Sequence, residues 1–324
     1  MIFKFKTKIG DKQVGKIAFV FPGQGSQYTG MGKELADKYP AAKAVFCKAD
    51  NIKQLSSLCF EGDENELKKT TNTQPALLTA SFACAEVLRA EGVRPDFVAG
   101  HSLGEYTALV VAEVLSFTDA LNLVMLRSEL MEDAMPFGEG TMAAVLGLSN
   151  QAVREVCQEA SKLALVEPAN FNCPGQVVIA GFSEGVEKAL QLAKEKGAKR
   201  VIPLAVSGPF HSSLMEPVSI VLSEKIKEQA FRKPTIPIVA NVTGKFACEA
   251  KDIRDNLVRQ VKNPVLWEDS INYLYKAGAR VFIEVGPGKV LTGLIKKVLK
   301  DVLLLNVGDE ASLKNTLVRL REVI

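Results

Sequence analysis

The chain lacks paired cysteines: its six, Cys47, Cys59, Cys84, Cys157, Cys173 and Cys248, are scattered over 324 residues with no C-x-x-C pair. That spacing argues against a disulfide frame or a zinc site and fits reduced thiols with structural roles in a cytosol. A membrane span is missing too, because the most apolar region, Phe97 to Leu115, is interrupted by His101, Glu105 and Glu113. Neither sign of charge is in excess: 40 basic and 37 acidic residues leave a net charge of +3, without the strongly basic footprint of a nucleic-acid binder. Histidine is scarce, with only His101 and His211. What is present, 47% hydrophobic, 24% charged and 7% aromatic residues, is an ordinary globular composition, long enough for one large domain or two. The lysines of Met1 to Lys16 lack the apolar core of a secretory signal and the Arg and Ser enrichment of a transit peptide. Residues 1–16 therefore read as a basic leader on a cytoplasmic protein with no nucleic-acid and no membrane partner.

From Lys16 the strand and helix signals alternate. Ile17 to Phe21 reads as a buried strand, short helices fill Lys33 to Lys69, and Thr73-Gln74-Pro75 opens a helix to about Arg89 with the proline near its first position. A strand, Asp96 to Gly100, follows, then a helix from the capping-box spacing Ser116-Phe117-Thr118-Asp119 to about Met135. Such alternation implies a parallel sheet covered on both faces. Between Gly138 and Val206 the rhythm changes: strand 141–148, helix 151–162, strands 163–170 and 176–182, helix 184–196, strand 199–206. That β-α-β-β-α-β order is the ferredoxin-like unit, inserted into a larger α/β domain. Alternation resumes with helix 213–229, strand 236–241, helix 252–277, strand 280–285, helix 290–299, strand 302–307 and helix 312–323.

Ser102 lies in Gly100-His101-Ser102-Leu103-Gly104, directly after a strand and before the helix-like stretch Glu105 to Val114. Strand, sharp turn and helix form the context in which G-x-S-x-G makes a nucleophile elbow; the bare pattern alone also occurs in surface turns. Acyl chemistry at serine needs a base. His101 adjoins Ser102 and leaves the turn in another direction, so His211, in Ser207-Gly208-Pro209-Phe210-His211-Ser212-Ser213, is the base by elimination; a histidine capping the next helix is the bland alternative. An oxyanion needs two backbone N–H groups: Leu103 supplies one, and Gln24, in the loop Pro22-Gly23-Gln24-Gly25-Ser26-Gln27, is placed for the other. That loop has Tyr28 where G-x-G-x-x-G needs its third glycine, and Gly286-Pro287-Gly288-Lys289 lacks P-loop spacing, so dinucleotide and P-loop readings fail.

Taken together, Phe21-Pro22-Gly23-Gln24-Gly25-Ser26-Gln27, Gly100-His101-Ser102-Leu103-Gly104-Glu105-Tyr106, Arg127, Asn170-Phe171-Asn172, Gly208-Pro209-Phe210-His211-Ser212 and Glu284-Val285-Gly286-Pro287-Gly288 resemble the malonyl-CoA:acyl carrier protein transacylases of bacterial type II fatty acid synthesis. The motifs follow the family's order and spacing over nearly the whole chain from Lys16. The resemblance implies an α/β-hydrolase-like large domain with a parallel sheet, 17–137 and 208–324, and an inserted ferredoxin-like small domain, 138–207. It implies Ser102 as nucleophile, His211 as general base, the N–H groups of Gln24 and Leu103 as oxyanion donors, and the main-chain carbonyl of Gln260 as the orienter of the histidine. An acidic third member between Ser102 and His211 stays open. By the same resemblance Arg127 holds the malonyl carboxylate, its planar fork suited to bidentate pairing, unless an internal carboxylate such as Glu105 or Glu129 claims it. Phe210, His101 and Asn170 join it as substrate contacts, with Phe210 favouring malonyl over methylmalonyl.

The implied reaction is malonyl transfer through a serine ester, with malonyl-CoA and acyl carrier protein as partners, no metal, and no cofactor beyond the coenzyme A thioester that serves as substrate. A monomer is expected. Carrier proteins of this kind are acidic, so Lys194, Lys196, Lys199 and Arg200, or Lys289, Lys296 and Lys297, are docking candidates, with solvated helix faces as the bland reading. Two rivals share the motif: a serine esterase or lipase of the G-x-S-x-G type, and a silent carrier-binding module, which an intact Ser102 and His211 argue against.

Overall fold

The computed structural model describes residues 8–9, 12–13, 15–136 and 138–323. Most of the basic leader lies outside the described residues; within it β1 (Lys8–Ile9) pairs antiparallel with β2 (Lys12–Gln13). The large sheet contains β3 (Lys16–Phe21), β4 (Phe97–Gly100), β9 (Ile238–Ala240), β10 (Lys245–Ala247), β11 (Ala279–Val285) and β12 (Leu303–Val307). Their order is β10-β9-β4-β3-β11-β12, parallel throughout except for the β9–β10 hairpin. Strands buried on both faces need apolar side chains at successive positions, which β3 and β4 supply. Phe19, Phe21 and Val98 point into the main core; Ala18, Val20, Phe97 and Ala99 point into a second core on the other face.

Helices α1 (Lys33–Lys38), α2 (Pro40–Asp50), α3 (Leu55–Glu61), α4 (Glu64–Lys68), α5 (Thr70–Ala90), α6 (Gly104–Val111) and α7 (Phe117–Glu132) build most of the main core. They are joined there by α10 (Glu216–Lys227), α11 (Ala250–Gln260) and α14 (Glu310–Val323). Trp267, Ile271 and Leu274 of α12 (Trp267–Lys276) and Leu291, Leu294 and Ile295 of α13 (Val290–Val298) cover the opposite face. The second sheet is antiparallel, ordered β6-β7-β5-β8 from β5 (Gly140–Leu146), β6 (Val166–Cys173), β7 (Gln176–Phe182) and β8 (Arg200–Pro203). With α8 (Asn150–Ala160) and α9 (Ser183–Glu195) crossing between strands, this is the ferredoxin-like arrangement.

The sequence reading departs from the structure at particular places. The helix read over 252–277 is two, α11 and α12, with Pro264 in the break, where a proline N cannot donate. Helix α5 begins at Thr70, so Pro75 is interior. Strand 163–170 is shifted to 166–173, because Ser161 turns the chain after α8, its hydroxyl bonded to both Val166 N–H and Val166 O. Strand 199–206 is shorter, at 200–203, and the helix read from Ser213 opens as a single 3-10 turn, Ser213–Met215, before α10. Strand β10 was not read at all.

Candidate active site

The serine turn is dictated by backbone contact. A Cβ at Gly100 would lie 1.9 Å from the Gly104 carbonyl carbon, and one at Gly104 would lie 2.0 Å from the Phe21 oxygen, so both positions need glycine. Ser102 itself adopts φ 50°, left-handed for a residue with a side chain. Asn241, just past β9, clamps the turn. Its Oδ1 accepts from Ser102 N–H at 2.7 Å and its Nδ2 donates to Gly100 O at 2.6 Å. The loop after β3 abuts the same turn, since a Cβ on Gly23 would lie 2.5 Å from His101 O. Among the described residues neither the Gln24 nor the Leu103 N–H is given to a protein acceptor. The Leu103 N–H is an unpaired donor at the start of α6.

Ser102 Oγ lies 2.7 Å from His211 Nε2, and His211 Nδ1 lies 2.8 Å from the main-chain oxygen of Gln260. A carbonyl only accepts, so Nδ1 carries the proton and Nε2 is left basic toward the hydroxyl. The orienting group is thus a backbone carbonyl. It is available because α11 ends at Gln260 and leaves its last carbonyls unpaired. His211 stands at φ 62° with its N–H on Val261 O, which ties its turn to the same helix end. Burial, seconded by the nearby Arg127 charge, holds the imidazole down to about 3, keeping it neutral near pH 7.

Arg127 comes from α7 and is fully buried. Its Nη1 donates to Gln74 Oε1 at 2.6 Å, and its Nη2 donates to Gln260 Oε1 and to Ser102 Oγ, each at 3.1 Å. None of these acceptors is charged, and Nε has no partner. Glu105, expected as a possible internal counter-ion, instead accepts from Asn241 N–H at 3.1 Å and from Gln260 Nε2 at 2.8 Å. Burial pushes its carboxyl up to about 7. Gln260 Nε2 also donates to Ser102 O at 3.0 Å, so one glutamine ties base, cation and serine turn together.

Ser102, His211, Gln260 and Arg127 therefore meet in one hydrogen-bonded cluster, with Leu103 next in chain and Gln24 on the abutting loop. The Gln24 side chain donates to Thr70 Oγ1 at 3.3 Å. His101 Nε2 turns away to Asn172 Oδ1, 2.8 Å distant, and its ring meets Trp267 edge-on. Asn170, by contrast, is bridged to Val265 through its backbone, and its buried Nδ2 has no partner. Phe210 is buried in the main core beside the base. Sequence reasoning missed Gln74 and Asn241; Gln74 is one polar residue inside α5 and Asn241 one just past β9, and only the fold supplies their partners. Among the described residues no group of three His, Cys, Asp or Glu side chains is gathered for a metal, and no helix is long and apolar enough to cross a membrane. Of the docking candidates, Lys196 is paired with Glu155 at 2.7 Å and Lys297 donates to Gln176 at 3.0 Å.

A neutral histidine on a serine hydroxyl, at a strand-to-helix elbow with free N–H groups beside it, is the equipment of a serine acyltransferase or hydrolase. The family described as "Acyl transferase domain" matches residues 18–317. The malonyl CoA-acyl carrier protein transacylase of Bacillus subtilis (strain 168) is 50% identical over 312 residues, 95% of this chain and 98% of the relative. That of Escherichia coli (strain K12) is 46% identical over 300 residues, 92% and 97% of the two chains. Among solved structures, the acyl-carrier-protein S-malonyltransferase of Burkholderia pseudomallei 1710b superposes with a TM-score of 0.91 at 46% identity, covering 93% of this chain and 99% of that one. A malonyl-transacylase in complex with a type II PKS acyl-carrier protein gives 0.91 at 44% identity, covering 94% and 99%. The chain belongs to the malonyl CoA-acyl carrier protein transacylase family of acyl transferases.

Proposed function

We propose that this protein transfers a malonyl group from malonyl-CoA to the phosphopantetheine thiol of acyl carrier protein, supplying fatty acid synthesis. The observation that carries the reading is the place of Ser102 Oγ, 2.7 Å from a neutral imidazole and 3.1 Å from a buried guanidinium that holds no carboxylate. An esterase acting on simple esters has no use for that cation, whereas a malonyl thioester brings the missing carboxylate.

In the first half-reaction His211 Nε2 takes the Ser102 proton as Oγ bonds to the thioester carbonyl carbon. The charge developing on the carbonyl oxygen falls to the N–H groups of Leu103 and Gln24, the C–S bond breaks, and coenzyme A leaves with the proton from His211. In the second, the carrier thiol yields its proton to His211 and attacks the malonyl ester, and Ser102 Oγ departs reprotonated. The Gln260 carbonyl keeps the imidazole in the needed tautomer throughout. Ester and thioester are close in energy, so the relay needs no metal or redox cofactor. Phe210 lines the acyl group, while His101 turns to Asn172 and braces the serine turn from behind. We assign the large unit to 17–137 and 208–324 and the small one to 138–207, acting as a monomer in the cytoplasm. The test is incubation with malonyl-CoA alone, followed by mass analysis of the peptide containing Ser102. One added malonyl group, absent from Ser102→Ala, is expected; label elsewhere, or label retained in the variant, would refute the assignment.

A further inference from the structure

We infer that Gln74 is a specificity-determining residue, whose uncharged side chain lies against Arg127 without neutralising it and so reserves the cation for the carboxylate of an anionic acyl group. The inference rests on the reading above and goes beyond it by locating specificity in an uncharged side chain of α5.

Gln74 is 1% exposed and Gln260 0%, and their amide oxygens take one N–H from each terminal nitrogen of the guanidinium. Both positions accommodate a side chain of glutamate's length, yet both carry the amide. The nearby acid, Glu105, makes no direct bond to the cation: the Gln260 amide gives its Nε2 to Glu105 and takes an Arg127 N–H on its Oε1, acting as a spacer across which the two groups feel each other only through space. Glu105 is further weakened as a counter-ion by the burial that raises its carboxyl to about 7. A buried cation without a paired anion is costly, and folding normally avoids it. Here the cost is retained beside the reacting serine, with Nε still unpaired, which is the arrangement a binding site for an anion requires. On its other side Gln74 Nε2 donates to the Met131 sulfur, 3.6 Å away, a weak bond that is a minor reason for an amide beside the contact with the cation. The requirement for neutrality comes from Arg127.

The consequence is that Gln74→Glu, nearly equal in shape, supplies an internal carboxylate that pairs with Arg127 and repels the substrate's own. The experiment compares kcat/KM for malonyl-CoA and acetyl-CoA in the wild type, Gln74→Glu, Gln74→Met and Arg127→Ala. Gln74→Glu should reduce the malonyl-to-acetyl ratio by about tenfold or more, with the malonyl loss mainly in KM. Gln74→Met keeps the cage neutral and should hold the ratio within about threefold, whatever its absolute rate. Equal losses for both substrates in Gln74→Glu, or a collapsed ratio in Gln74→Met, would overturn the inference; the Met variant decides alone if the Glu variant does not fold. If Arg127→Ala collapses the ratio and Gln74→Glu does not, only the role of Gln74 fails. A ratio unmoved in Arg127→Ala removes the malonyl reading itself.

Discussion

Ser102 and His211 share an uncommon property at the scale of the residue: each has a side chain and a left-handed backbone, φ 50° and 62°. Such a conformation costs on the order of 1–3 kcal/mol and persists only where neighbours hold it, here Asn241 on one turn and the end of α11 on the other. These two residues were legible because their types are informative: a serine in a glycine-framed turn, and one histidine left once the adjacent one is set aside. Gln74 and Asn241 were not, because amides are common and their partners lie far away in sequence. Neutrality of His211 sets a pH dependence. Its folded value of about 3 lies below the ordinary 6.5, so the base is largely unprotonated above about pH 4. The kcat/KM for malonyl transfer should stay level from about pH 8 to about pH 5 and bend down only toward pH 3, as measured in brief assays on folded enzyme. An acid limb centred near 6.5 that persists in Glu105→Gln, which removes the carboxyl that burial raises to about 7, would show that the imidazole is not held neutral.

Elements were read well where hydrophobic period and caps agreed, and badly where a proline misled. Pro75 looked like a helix start, yet α5 runs through it from Thr70. A proline at position 75 denies the Thr71 carbonyl its helical partner, and Lys53 Nζ fills the gap, 3.1 Å from Thr71 O and 2.9 Å from Asn72 Oδ1. That substitute bond joins residues too far apart for local pattern to reveal. Lys53→Met should therefore destabilise by about 1 kcal/mol, and in a Pro75→Ala background, where the restored backbone N–H can serve the Thr71 carbonyl, the same change should cost less. Urea melts of the four proteins measure the coupling; additive costs would mean that Lys53 does not stand in for the missing N–H. Pro264 misled in the opposite sense. The periodicity over 252–277 ran past it, but the break it marks gives His211 the Gln260 carbonyl.

For the molecule as a whole, alternation of strand and helix was enough to show a parallel sheet and a ferredoxin-like insertion, because period and order survive without knowledge of contacts. How the two units share a core was not visible. One face of the small sheet, including Val145, Val177 and Ile179, packs under α8 and α9, while Met142, Ala144, Val178 and Ala180 on the other face belong to the main core. The β6 edge is also bonded to the α11–α12 connection, Phe171 N–H to Val265 O and Val265 N–H to Ala169 O, each at 2.9 Å. Separating the units would expose that face and break those bonds. Calorimetry should therefore show one unfolding transition with equal calorimetric and van't Hoff enthalpies, and two resolved transitions would contradict the shared core.

The central claim is that the buried cation beside the serine exists to hold a malonyl carboxylate. The direct test is the ratio of kcat/KM for malonyl-CoA to that for acetyl-CoA, in the wild type and in Arg127→Ala. Loss of one partner of a buried charge pair costs about 2–5 kcal/mol, so the ratio should fall by roughly 30-fold or more. A parallel fall for both substrates, with the ratio preserved, would make Arg127 structural and return the protein to the wider class of serine esterases.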